Sequence, residues 1–354
     1  MDFGLDESQR AVAGLAREIL AQEREPSALW KAMAQAGLLT LCVPEALGGA
    51  GLGVVESALV LSEVGRRTAS VPALSTLALG VLPVVRAGTA EQQRAVLGPV
   101  VEEAAVLTAA LHEPSAPLTE RPRTSAEPDG DGWLVSGRKI GVPYAATAHR
   151  ILVPAALPGG DVGVLLVDPA APGLTLHPAP SSSGAPEHVL VMDRVPSTAV
   201  LGDGALRELH ACAVAGASAV GDGVLAGALE LTTEHVRSRE QFGRPLATFQ
   251  AVAQQMADVY IAARTLHLTA RAACWRLGAG RDAGADLEVA AYWLAHEAPT
   301  ALHTCQHLHG GLGVDVGYPL HRHYSWGKDL ARFVGGVEHG IERLGMRSGT
   351  CRSN

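Results

Sequence analysis

The sequence predicts an α+β chain of several domains. These are an N-terminal helical domain (1–110), a small central β-barrel or sheet domain (111–203) and a C-terminal four-helix bundle (204–354). Three observations predict this. Apolar residues recur at helical spacing through the first stretch. Proline and glycine then become dense, and short apolar runs bounded by turn residues replace that period. Long helical periods return from residue 205 onward. The length of 354 residues exceeds one compact core, and 47% hydrophobic residues exclude global disorder.

The first helix follows Asp6, an N-cap residue type, and carries Val12, Leu15 and Ile19. A second is expected after Pro26 with Ser27 as its cap, Leu29, Trp30 and Met33 on its apolar face, and Gly37 as its stop. The glycine-rich segment from Val43 to Gly53 comes next, and VVESALVLSEVG after it reads as a further helix. The glycine spacing departs from GxGxxG and a helix end precedes it, so the segment reads as a tight-turn scaffold.

In the middle domain, strands are expected at Trp133–Val135, Arg138–Val142, Ile151–Val153, Val162–Val167, Leu174–Leu176 and Val189–Met192. PDGDG at 128–132, PGG at 158–160 and SSSG at 181–184 are turns by composition. Further on, Val252, Met256, Val259, Ala263, Leu266, Ala270 and Ala273 trace the seam of a bundle helix. Gly278 and Gly280 end that helix, and HGGLG at 309–313 ends another.

Composition excludes several functions. Net charge is −8 with no basic stripe, which argues against nucleic acid as a partner. The apolar stretches look broken by charge, proline or glycine short of the ~18 residues of a membrane span. The acidic N-terminus, MDFGLDESQR, does not read as a signal peptide. Five scattered cysteines (Cys42, Cys212, Cys274, Cys305, Cys351) include no CxxC, so a reducing, cytoplasmic compartment is expected. His303 and His307 stand four apart, with His309, His321 and His323 nearby, but no carboxylate completes an HExxH arrangement and no metal is expected. Neither Cys212 nor Cys305 has a visible His/Asn partner set for a nucleophile.

Four collinear blocks give the chain a resemblance. They are VPEALGGAGLGVVESALVLSEVG (43–65), the segment Val195-Pro196 to Val200-Leu201-Gly202, VRSREQFGRPLATFQAVAQQMADVY (236–260) and HLHGGLGVDVGYPLHRHY (307–324). Spread over nearly the whole chain, they resemble the acyl-CoA dehydrogenase family. The resemblance implies FAD, a dimer of dimers, and α,β-dehydrogenation of an acyl-CoA thioester. A Glu carboxylate removes the α-proton, the flavin takes the β-hydride, and a separate electron-transfer acceptor reoxidises it. It also implies that the flavin lies across a subunit interface. One chain then walls the flavin ring, and its neighbour contacts the diphosphate and adenine.

The neighbour-side groups match. The resemblance assigns cofactor contact to Arg239, Phe242, Phe249, Gln250, His307, Gly310 and Gly311, with His307 standing where the family usually has Gln. A guanidinium suits a diphosphate, a phenyl ring offers a flat face, and glycine lets backbone approach phosphate. Without the resemblance, Arg239 reads as a surface ion-pair partner, Phe242 as core and the glycines as a helix cap.

The ring-side groups depart from the family. Its TEPGAGS-like block is here Leu111-His112-Glu113-Pro114-Ser115-Ala116-Pro117-Leu118, with Pro117 for a glycine and Leu118 for a hydroxyl. Its WITN-like strand is Gly141-Val142-Pro143-Tyr144, without the tryptophan. The base position matches Gly336, and the alternative base position on the earlier helix matches Ala213, flanked by Ala211 and Val214. Glu338 is the weak remaining candidate, while Glu208, Glu230 and Glu234 read as exposed charges. Three readings follow. The first is a subunit active only in a heterotetramer with a related chain that supplies the Glu, as in actinobacterial enzymes acting on steroid-CoA side chains. The second is a self-sufficient homotetramer using Glu338. The third is a flavin-free scaffold subunit.

Overall fold

The computed structural model describes residues 4–350, so Cys351 lies outside the described residues. The chain forms two compact units, one of Gly14–Ser57 and Ser70–Gly216, the other of Met1–Ala13, Ala58–Ala69 and Ala217–Asn354. Three of the four divisions fall inside helices, α1 (Glu7–Leu20), α3 (Val54–Arg67) and α6 (Ala205–Ser238), and the fourth lies between Ala69 and Ser70.

Helix α1 starts as its sequence dictates: the Gln9 N–H donates to Asp6 Oδ1 at 2.8 Å, and the Gln9 side chain accepts from the Asp6 N–H. Its buried residues are Ala16 and Leu20, whereas Leu15 is exposed. Helix α2 (Pro26–Gln35) begins at the proline itself, so Ser27 is not its cap. Proline's fixed φ suits the first helical position, where its missing N–H is no loss. Leu29, Trp30 and Met33 are buried, and Gly37 (φ +74°) ends the helix while Leu38 N–H donates to Met33 O. The 43–53 segment is a packed turn: a Cβ on Gly49 would lie 2.1 Å from Val43 O. Helices α4 (Leu82–Ala87) and α5 (Ala90–Glu103) follow, with a Thr89–Gln92 capping box on α5.

The sheet comprises β1 (Val106–Ala109), β2 (Ser125–Asp129), β3 (Gly132–Pro143), β4 (Ala148–Ala156), β5 (Val162–Val167), β6 (Leu174–Ala179) and β7 (Glu187–Val200). Its order is β1-β4-β2-β3-β7-β5, with β6 on β7, and an additional β4–β5 pairing closes the path into a barrel. Val135, Ile151, Val153, Leu165, Val167, Leu190 and Val195 fill its core. Strands β1 and β2 were not expected. Also, Trp133–Val135 and Arg138–Val142 are one strand, bent by irregular register near Gly137 and Gly141.

The helical remainder has α6, α7 (Gln250–Gly278), α8 (Gly284–His309), α9 (Leu320–Phe333) and α10 (Gly336–Thr350), with the β8–β9 hairpin (Glu240–Gln241, Arg244–Pro245) between α6 and α7. On α7 the buried seam runs Val259, Ala262, Leu266, Ala270, Ala273, whereas Val252, Met256 and Ala263 are only half-buried. Helix α6 corrects the expectation about apolar stretches. It is long and apolar enough to cross a membrane, with mean hydropathy 1.5 over its best window, but that window is 83% buried within the chain, as in a core helix.

Candidate functional site

The block from residue 235 to 250 builds a projecting turn. The Arg239 N–H closes α6 by donating to His235 O, and Leu246 N–H donates to Arg239 O across the hairpin. Phe242 (φ +52°) and Gly243 (φ +74°) form its two-residue loop, and both left-handed positions match a type I′ turn. That geometry throws the Phe242 ring outward, where it is 92% exposed, so it is not core. Its ring meets Phe249 edge-on at 6.2 Å, and the Arg244 guanidinium covers the other ring at 4.1 Å. Arg239 and Gln250 are exposed, and Phe249 is half-buried.

The second block ends α8. His307 faces solvent, as does His303, while His309 turns inward. Gln306 is half-buried, and its Nε2 donates to Gly313 O at 3.2 Å, bracing the turn. Gly310 adopts φ +60°, ψ −136°, a conformation reserved for glycine. Gly310 and Gly311 are exposed, and a Cβ on either would meet nothing within 4 Å. Packing within the chain therefore does not demand glycine at 311.

One contact joins the two blocks. The His235 ring at the end of α6 stacks on His309 at 4.2 Å, and His309 Nε2 lies 3.2 Å from the Tyr318 hydroxyl. Burial lowers both imidazoles below the ordinary histidine value, and for His235 the neighbouring His309 and Arg239 add to that. His235, Arg244 and Tyr318 were missed in the sequence. His235 stands four residues before Arg239, but histidine at a helix end carries no distinctive signal.

The barrel-side segment has a different character. Glu113 and Lys139 form a buried ion pair at 2.8 Å, and Glu113 also accepts from the Arg123 and Thr124 N–H groups. Burial alone would raise Glu113, but these donors hold it down at about 2. A tight turn follows, with Glu113 and Ala116 exchanging backbone hydrogen bonds. Leu118, at the hydroxyl position, takes a left-handed backbone (φ +45°) and is only 2% exposed, so its side chain packs into the fold. Pro143 accepts from Thr108 Oγ1, and burial pushes the Tyr144 phenol up to about 12.

Of the two residues that the resemblance matches to a base, neither is a carboxylate: Gly336 lies at φ +79°, and Ala213 is fully buried. Glu338 is exposed on the first turn of α10. Glu208 is half-buried and paired with Arg86 at 2.6 Å, which corrects its reading as an exposed charge. Glu230 pairs with Arg66, and Glu234 is exposed. Burial raises Cys42 and Cys305 to about 11 and Cys274 to about 12, so none of these thiols is an activated nucleophile. Among the described residues no group of three or more His, Cys, Asp or Glu is placed to hold a metal.

A helical N-terminal region, a central barrel and a helical C-terminal region, with arginine and glycine turns at the helix ends, define a flavoenzyme-type architecture. The chain belongs to the acyl-CoA dehydrogenase family: the family's N-terminal domain model matches residues 6–104 and its C-terminal domain model residues 213–344. It is 46% identical to acyl-CoA dehydrogenase FadE28 of Mycobacterium tuberculosis over 349 residues, covering 98% of this chain and 99% of that one. Acyl-CoA dehydrogenase FadE27 of the same organism is 32% identical, covering 98% of each. Among solved structures, the Tcur3481-Tcur3483 steroid acyl-CoA dehydrogenase G363A variant superposes with a TM-score of 0.92 at 37% identity, covering 98% of this chain and 99% of that one. The ChsE4-ChsE5 complex of Mycobacterium tuberculosis gives 0.91 at 31%, covering 99% of each. Several solved structures of this fold are FAD or FADH2 complexes.

Proposed function

We propose that this chain is one subunit of an FAD-dependent acyl-CoA dehydrogenase, working with a related chain that supplies the catalytic carboxylate. The observation that carries this reading is an asymmetry. The turn groups that would meet a neighbour's flavin are exposed and aimed outward, with Phe242 at 92% exposure. The chain's own ring-side position holds the packed Leu118 side chain, and its base position is a left-handed glycine.

The donor groups fit the adenine and diphosphate end of FAD. Arg239 presents a permanent, planar charge for bidentate contact with diphosphate oxygens. Phe242 offers a flat apolar face, buttressed by Phe249. At Gly310 and Gly311 no side chain keeps backbone from the diphosphate. When bound, FAD supplies the hydride acceptor for the substrate β-carbon. The partner's carboxylate takes the α-proton, because neither Gly336 nor Ala213 can. The likeness to the steroid acyl-CoA dehydrogenase structure favours a bulky acyl-CoA substrate, and a separate electron-transfer acceptor would reoxidise the cofactor. None of the four described cysteines is in a disulfide, in keeping with a reducing, cytoplasmic setting.

Purifying this chain alone and co-expressed with a neighbouring dehydrogenase chain tests the reading. A colourless protein alone that becomes yellow and oxidises acyl-CoA with its partner is the expected result. Stoichiometric flavin and turnover from the chain alone would overturn it.

A further inference from the structure

We propose that His309, clamped between His235 and Tyr318, positions the Gly310–Gly313 turn, and that protonation of this clamp releases the turn and weakens FAD binding. The inference rests on the cofactor reading of Arg239 and Gly310 given above.

The hydrogen bonds fix the protonation state. His309 Nδ1 lies 2.8 Å from the Cys305 carbonyl, which can only accept, so Nδ1 carries the proton. A neutral ring then has an accepting Nε2, and the Tyr318 O–H donates to it at 3.2 Å. Both ends of one buried ring are thereby tied to different segments, the α8 backbone and the loop before α9. The glycine turn rests on this ring's stem: a Cβ on Gly313 would sit 2.7 Å from Gln306 O and 3.1 Å from His309 Cβ. The third tie is the stack with His235, which reaches the block that carries Arg239.

Acid acts on two of the three ties, since the Nδ1–H bond to the Cys305 carbonyl persists in the protonated ring. A second proton on His309 makes Nε2 a donor, so the Tyr318 hydroxyl must rotate to accept. It also places a cation 4.2 Å from the His235 ring. The groups facing the pair are His235 and Arg239 from α6, Tyr318 from the loop, and Cys305 in the same helix, whose thiol burial keeps neutral. The charges acting on His235 are therefore positive, from His309 and Arg239. Both imidazoles lie below the free value in the folded chain, so the released form binds more protons. The clamp is intact above the ordinary histidine pKa of about 6.5 and weakens as pH falls below it.

Two readouts on the full chain in its assembly test this. One is hydrogen exchange of the 310–318 amides, corrected for intrinsic rates. The other is the FAD dissociation constant from pH 8 to 5.5. Three variants are compared. His309→Phe keeps the flat stacked ring without hydrogen bonds, Tyr318→Phe removes one donor, and His235→Phe removes the second titrating ring. Wild type is expected to lose FAD affinity roughly tenfold on acidification, in step with faster exchange, as about one protonation unit of linkage implies. Tyr318→Phe is expected to bind roughly fivefold more weakly at pH 8, as for one lost hydrogen bond. His309→Phe is expected to bind more weakly at pH 8 with a flattened pH profile, and His235→Phe, which keeps a stacked ring without the second titrating group, to give a pH profile shallower than that of wild type. Unchanged exchange and an unchanged pH profile in both His309→Phe and Tyr318→Phe would overturn the clamp and leave the cofactor reading standing. Faster exchange with unchanged FAD affinity would overturn the link to FAD and count against the cofactor role of the turn itself.

Discussion

Phe242 carries a cost that its fold does not require. An aromatic side chain at φ +52° occupies a backbone region that Asn and Gly tolerate far better. Phe242→Asn should therefore raise stability by about 0.5–1 kcal/mol, since Asn-Gly is the favoured type I′ pair. FAD affinity should fall in the same variant, because the exposed ring is lost. Thermal unfolding and a flavin fluorescence titration read the two effects. A gain in stability with unchanged flavin affinity would remove Phe242 from the site. Glu113 and Lys139 present the opposite case, a buried pair in which Lys139 donates to Glu113 and Glu113 also accepts from two backbone N–H groups. Lys139→Met leaves a buried carboxylate uncompensated and should cost about 3–5 kcal/mol, much of which returns in the Glu113→Gln/Lys139→Met double variant. The carboxylate is held at about 2, well below its unfolded value, so its contribution is complete above the ordinary Glu range of about 4.3. It is lost as pH falls from there toward 2, which urea unfolding at pH 5 and pH 3 should show in wild type and less in the double variant.

Helices were legible where apolar spacing and end signals agreed, as in α1 with Asp6 and α2 with Gly37. Helix α6 was expected as a helix, but its apolar stretch was read as too broken to reach membrane-spanning length. It runs unbroken from Ala205 to Ser238, and its glycines let backbones touch. A Cβ on Gly223 would lie 1.8 Å from Ser62 O, one on Gly65 would lie 2.0 Å from Val220 O, and one on Gly221 would meet Leu294 at 2.3 Å. Gly223→Ala forces α3 and α6 apart and should destabilise the chain by about 1–3 kcal/mol or more, despite alanine's better helix propensity. An exposed glycine, Gly14, has open space at its Cβ and serves as control. Gly14→Ala should stabilise by about 0.5–1 kcal/mol. Equal effects of the two substitutions in urea titrations would show that propensity, not contact, governs α6. Strands β1 and β2 escaped for another reason. β1 is four residues long, and β2 reads Ser-Ala-Glu-Pro-Asp, with one buried residue and no alternation.

At the scale of the molecule, the sequence marked the blocks that carry Arg239, Phe242 and Gly310 but not the β8–β9 hairpin or the contacts that hold them. The motif blocks stand out as residue types, whereas the His235–His309–Tyr318 clamp depends on which helix ends meet. The sequence also matched Gly336 and Ala213, neither of them a carboxylate, to the family's base positions. It did not reveal that Gly336 sits at φ +79°, a backbone that disfavours any side chain. The last prediction follows from that backbone and from the asymmetry of the two half-sites. If this chain contributes only the diphosphate side, an assembly with its partner should hold one flavin for every two chains. Arg239→Ala should empty those sites without dissociating the assembly. Native mass spectrometry with flavin absorbance measures both quantities. Placing a carboxylate by Gly336→Glu should not create activity in the chain alone, since the backbone there is left-handed and Leu118 still fills the ring-side position. Partner base removal should abolish turnover in the assembly whether or not Gly336→Glu is present. Full flavin occupancy at one per chain, or rescue by Gly336→Glu, would mean that this chain's own ring-side site is competent and that the asymmetry is only one of sequence.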